Sequence, residues 1–97
     1  MLLQAQGKLG EAEPLYREAL AGKRRVLGNE HPDTLLGAGN LGYLLQKRGA
    51  LGEAEALLRE AADGCRRVLG PAHPNTLGTA AALAELLRKQ GGRAKRG

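Results

Sequence analysis

The sequence predicts an all-α fold in which helical hairpins stack into a solenoid, and three observations carry that reading. The chain repeats itself, its composition favours helices over strands, and its apolar residues recur at helical spacing. The repeat weighs most. LGEAEPLYREALAGKRRVLGNEHPDTL begins at Leu9 and LGEAEALLREAADGCRRVLGPAHPNTL at Leu51, an offset of 42 positions. Laid over residues 43–91, residues 1–49 match at 29 of 49 positions, far beyond chance. Self-similarity at such a period marks an array of supersecondary units, each of which needs its neighbour to cover an apolar face.

Composition agrees. The 97 residues suffice for one small domain, and they include no Trp, no Phe, no Ile and only two Tyr. The core must therefore be built from Leu, Ala and Val, which suits helices packed in grooves better than sheets.

The elements follow in order. Residues 2–6 make a helix stub, since MLLQAQG corresponds to YLLQKRG at 43–49. The segment 10–27 is a helix with apolar Ala12, Leu15, Tyr16, Ala19, Leu20, Val26 and Leu27 at near-helical period. Glu11 and Glu13 stand near its start and Lys23, Arg24 and Arg25 near its end, both favourable to the helix dipole. Gly28 stops it. A second helix, 32–48, opens on Pro32, which needs no N–H partner at a first helical position. Leu35, Ala38, Leu41, Leu44 and Leu45 form its stripe, and Gly49 ends it. The same pair recurs at 52–69 and 74–90. The repeat segment thus covers 1–90, as about two units plus the stub, and 91–97 is a basic, disordered tail.

Glycine opposes these helices. Gly22, Gly37, Gly39, Gly64 and Gly78 fall in helix interiors, where each costs roughly 1 kcal/mol relative to Ala. On sequence grounds Gly64→Ala should stabilise by up to about 1 kcal/mol.

At this point the chain resembles the tetratricopeptide repeat. Leu41-Gly42, Ala54, Leu58 and Ala61 carry the likeness, with gaps of 12, 4 and 3 residues from Gly42 onward. Ala12, Tyr16 and Ala19 repeat the second-helix part, and Leu83-Ala84 the first. The unit of 42 residues, with EAEPLYREAL, VLG and HPDT, looks like the longer repeat of kinesin light chains and similar adaptor proteins. The resemblance implies a right-handed helical-hairpin solenoid and a protein–protein interaction scaffold. It further implies that the first helix of each unit lines a concave groove for a peptide or partner helix. In this chain that face is Leu36, Asn40, Tyr43 and Lys47, then Gly78, Ala82, Glu85 and Lys89 with Arg88 beside them. Asn40 matches the Asn that such repeats carry in mid-helix; Ala82, its counterpart, does not. With Gly78 and Ala82 where basic residues would complete a carboxylate clamp, no C-terminal-carboxylate ligand is implied. Asn40 and Tyr43 can also be read as solvated helix surface.

Other features point away from chemistry. His31 and His73 recur with the repeat, each before Pro, and fit a helix-start role better than metal binding. Cys65 stands beside Arg66 and Arg67, which would favour a thiolate, yet nothing pairs it with a base. No catalytic triad, phosphate loop or paired-carboxylate set is present, so no enzyme, small-molecule substrate or cofactor is expected. The net charge is +5, and Arg88, Lys89, Arg93, Lys95 and Arg96 supply all of it; the other 10 basic residues balance 10 acidic ones. Nucleic-acid contact would have to come from that tail, which lacks aromatics to stack on bases. The absence of an apolar run of membrane-spanning length, of a leader and of a second cysteine makes a cytoplasmic protein the expectation.

The expected partners are therefore other proteins or peptides, in a cargo adaptor resembling kinesin light chain. The alternatives are a signalling adaptor or sensor and a fragment of a longer repeat protein with no independent function. The ends suggest one more partner. Leu15, Leu20 and Val26 at one end, and Leu83, Leu86 and Leu87 at the other, lack the neighbours a longer array would give them. Self-association through uncapped ends, or partial folding, is expected.

Overall fold

A computed structural model describes residues 2–96, with side chains from Lys8 to Gly91; Met1 and Gly97 lie outside it. Four helices follow one another: α1 (Leu2–Leu27), α2 (Pro32–Arg48), α3 (Leu51–Leu69) and α4 (Pro74–Arg96). Each packs against the next, α1 on α2, α2 on α3 and α3 on α4. Connections of a few residues force this order, and the result is a solenoid of helical hairpins.

The helix ends obey local chemistry. His31 caps α2, with its Nδ1 accepting from the Asp33 backbone N–H at 3.1 Å, and His73 does the same for Asn75 at 3.0 Å. The recurrent His-Pro thus combines a side-chain cap with a first helical residue that has no N–H to satisfy. Replacing His31 by Ala should cost about 0.5–2 kcal/mol, read as a lower midpoint in urea with an unchanged slope. At the other end of α2, Gly49 adopts φ 90°. Its N–H donates to Gln46 and that of Ala50 to Leu45, so two residues reverse the chain into α3.

Two expectations differ at the termini. The stub at 2–6 and the helix at 10–27 form one continuous helix, although Pro14 lies inside it. Five residues are too few for an independent helix, and continuing α1 satisfies their backbone groups without a turn. Residues 91–96, read from sequence as part of a disordered tail, continue α4 to Arg96. No proline interrupts them, and basic residues suit a helix C-terminus; Gly97 of that tail lies outside the described residues.

The core lies between α2 and α3. Leu35, Ala38, Leu41 and Leu45 of α2 meet Ala54, Leu58 and Ala61 of α3, all buried, and Leu20 and Leu86 join from the flanking helices. Leu20 and Leu86 were expected to lack partners; instead α2 covers the first and the core covers the second. Leu15 and Val26 do stay open, at 65% and 76% exposure.

Two glycines let the backbones approach. A Cβ on Gly42 would stand 2.9 Å from Leu58 Cγ and 3.3 Å from the Ala54 carbonyl. One on Gly64 would overlap the Leu35 Cδ2 methyl, with Cδ1 at 3.0 Å. The expected gain from Gly64→Ala is therefore overturned: Gly64 is the seat of Leu35. Gly22, its repeat counterpart, would meet only an Arg25 nitrogen at 3.9 Å.

Candidate functional site: the groove along α2

The apolar stripe that turns Leu41 and Leu45 into the core leaves Leu36, Asn40, Tyr43 and Lys47 on another side of α2. Leu36, Asn40 and Tyr43 border a hollow of about 310 Å³, completed by Asn75, Gly78 and Ala82 of α4 and floored by Leu58. Gly78 and Ala82 add little bulk there, so the hollow is open because α4 carries small residues opposite the larger ones of α2.

A second hollow, about 420 Å³, lies across α2 from the first, lined by Tyr16 and Leu9 of α1 and by Asn40, Tyr43, Leu44 and Lys47. Lys23 and Gly37 border a smaller one with Tyr16 and Asn40. Asn40 therefore sits where three hollows meet. Lys47 Nζ lies 5.0 Å from the Tyr43 ring centre, a cation–π contact that holds a positive charge over the tyrosine face.

Of the residues expected in the groove, the structure brings Leu36, Asn40, Tyr43 and Lys47 together. Glu85, Arg88 and Lys89 are exposed on α4 but border none of these hollows. Tyr16 and Lys23 of α1 were missed. Tyr16 matches Leu58 in the repeat and reads as core, yet it is 43% exposed, with no described helix over that side of α1.

The opposite surface is charged and ordered. Arg17 donates through both Nη atoms to Glu53, at 2.6 and 2.8 Å, and through Nε to Glu13 at 2.9 Å. Arg24 makes the same fork to Glu60, with Nη2 donating at 2.9 Å. These two arginines join α1 to α3. Arg67 of α3 reaches Glu30 of the α1–α2 loop, donating through Nε at 3.2 Å and Nη2 at 2.8 Å. Hydrogen bonds from Arg17 hold the Glu53 carboxyl below the usual carboxylate range. Because the folded value lies below the unfolded one, this pair stabilises at neutral pH. Its contribution declines as pH falls from about 5 through the folded value. The stability difference between wild type and Glu53→Gln should shrink over that range in urea melts at stepped pH.

Cys65 departs from expectation. It is fully buried, and burial pushes its thiol pKa up, with the Thr79 hydroxyl opposing more weakly. Arg66 and Arg67 point outward and do not stabilise a thiolate. Among the described residues no group of three or more His, Cys, Asp or Glu converges as metal ligands. No described helix is long and apolar enough to cross a membrane.

A comparison with curated proteins finds no match. A family profile described as tetratricopeptide repeat matches residues 1–61 and again residues 34–95. With stacked helical hairpins, small residues at the close contacts and a profile match over almost the whole chain, the protein belongs to the tetratricopeptide-repeat family.

Proposed function

We propose that the chain is a binding module, not a catalyst, and that the hollow between α2 and α4 seats a peptide from another protein. Tetratricopeptide repeats generally mediate protein–protein interaction, and the observation that carries the reading to this surface is the position of Asn40. Its amide can donate to and accept from a peptide backbone at the meeting point of three hollows. Tyr43 offers a half-exposed ring beside it, and Leu36 an apolar wall. Lys47 and Lys23 flank the site with positive charge. The favoured ligand is an extended segment with one apolar anchor and a nearby carboxylate. The likeness of the 42-residue unit to kinesin light chain repeats makes a cargo-adaptor setting the first one to test.

Peptides selected from a displayed library on the wild-type chain supply the test, with fluorescence anisotropy as readout. Asn40→Ala and Tyr43→Ala should each weaken the selected peptides about tenfold or more, with helicity unchanged because both side chains are exposed. Selected peptides that bind both variants as tightly as wild type would place the ligand elsewhere.

A further inference from the structure

We infer that the two ends of this solenoid bind each other, so that a second copy continues the array head to tail, with α1 of one copy packing on α4 of the next as α3 packs on α2. The repeat makes α1 the counterpart of α3, and α4 the counterpart of α2. The α2–α3 contact therefore specifies what each open face lacks.

The open face of α4 carries Leu77, Ala80, Ala84 and Leu87, counterparts of Leu35, Ala38, Gly42 and Leu45. The last four are buried against α3, whereas Leu77 is 57% exposed and a hollow of about 260 Å³ runs past Ala80, Ala84 and Leu87. The open face of α1 carries Ala12, Tyr16, Ala19 and Gly22, counterparts of Ala54, Leu58, Ala61 and Gly64. In the interior, Leu35 sits on Gly64. Across the junction Leu77 would sit on Gly22, where among the described residues an added Cβ would meet only an Arg25 nitrogen at 3.9 Å. Ala84 against Tyr16 is bulkier than Gly42 against Leu58, so this helix pair stands slightly further apart.

Charge supplies the second, independent match. Arg17–Glu53 and Arg24–Glu60 join α1 to α3, and the same offset assigns Arg59 to Glu11 and Arg66 to Glu18 of the next copy. Arg59 is already posed like Arg17. Its Nε donates to Glu55 at 3.0 Å, as that of Arg17 does to Glu13, while its Nη atoms form no ion pair among the described residues. Arg66, Glu11 and Glu18 are exposed. Exposed pairs add little affinity but set register and choice of partner. A junction of two different faces leaves one face of each kind free after every addition, so growth does not stop at a dimer and runs on unless a ring closes.

The test is the mass of the full chain by sedimentation velocity and light scattering over a concentration series. Masses should climb with concentration without stopping at a dimer. Arg59→Glu with Arg66→Glu should weaken association about tenfold or more, as should Glu11→Arg with Glu18→Arg. Mixing the two variants should restore it, because each then meets a complementary end. Gly22→Ala should raise the melting temperature of the monomer yet weaken association, since the added methyl fills the seat of Leu77. A monomer at every concentration, an association that stops at two, or a mixture that regains nothing would each overturn the inference.

Discussion

Gly64→Ala should destabilise the protein by about 1–2 kcal/mol, although the substitution improves helix propensity. The favourable part is at most about 1 kcal/mol, for a glycine removed from a helix interior. Against it stands the Leu35 side chain, whose methyls already occupy the space a Cβ would need. Leu35 has no exposure, so it cannot swing into solvent. Overpacking of this kind costs typically about 1–3 kcal/mol because neighbours shift or leave their rotamers. The measurement is a urea melt followed by circular dichroism, with Gly22→Ala beside it as the variant that should gain stability. A double-mutant cycle with Leu35→Ala sharpens the result: the pair should cost less than the sum of the singles, since truncating Leu35 removes the clash. An additive pair would mean that the two residues do not touch.

Leu58→Ala should have the largest effect of all. The side chain is 1% exposed and sits between Gly42 and the rest of the α2–α3 core. Truncating a buried Leu costs about 2–5 kcal/mol, the transfer loss plus a cavity its surroundings fill only in part. A domain of this size holds on the order of 5 kcal/mol or somewhat more, so the variant should lose its cooperative transition or melt near room temperature. Tyr16→Ala, at the same position of the preceding unit, removes a larger side chain and should cost far less, because Tyr16 is 43% exposed. The contrast separates position in the repeat from position in the array. If both variants lost similar stability, α1 would be packed on both sides, and the open face described above would not exist.

Much of this was legible in the sequence. The 42-residue offset located the hairpins, and the period of Leu35, Ala38, Leu41 and Leu45 identified the buried stripe of α2; the groove itself was implied only by the family resemblance, with Leu36, Asn40, Tyr43 and Lys47 as its candidates. His31 and His73 read as helix starts because they recur in both units, each before the proline that opens a helix, with no ligand cluster beside them; both cap their helix through Nδ1. These are local or periodic properties, and one chain displays both.

The rest depended on what lies across from each residue. Gly22 and Gly64 hold the same repeat position, yet a Cβ on one would make only an ordinary contact with Arg25 and a Cβ on the other would overlap Leu35. Tyr16 and Leu58 share a repeat position, yet only Leu58 has helices on both sides. Cys65 stands beside Arg66 and Arg67 along the chain, but the helix turns its sulfur into the core, and burial rather than the adjacent arginines raises its pKa. The bonds from Arg17 to Glu53 and from Arg24 to Glu60 join residues 36 apart, beyond any local pattern. Sequence by itself therefore determined the four main helices, their order and the buried stripe of α2, because these follow from period, capping and repeat; the extent of α1 and α4 at the termini did not follow from it. Tertiary structure decided which equivalent positions are equivalent in energy, because packing and desolvation depend on the neighbour that is present.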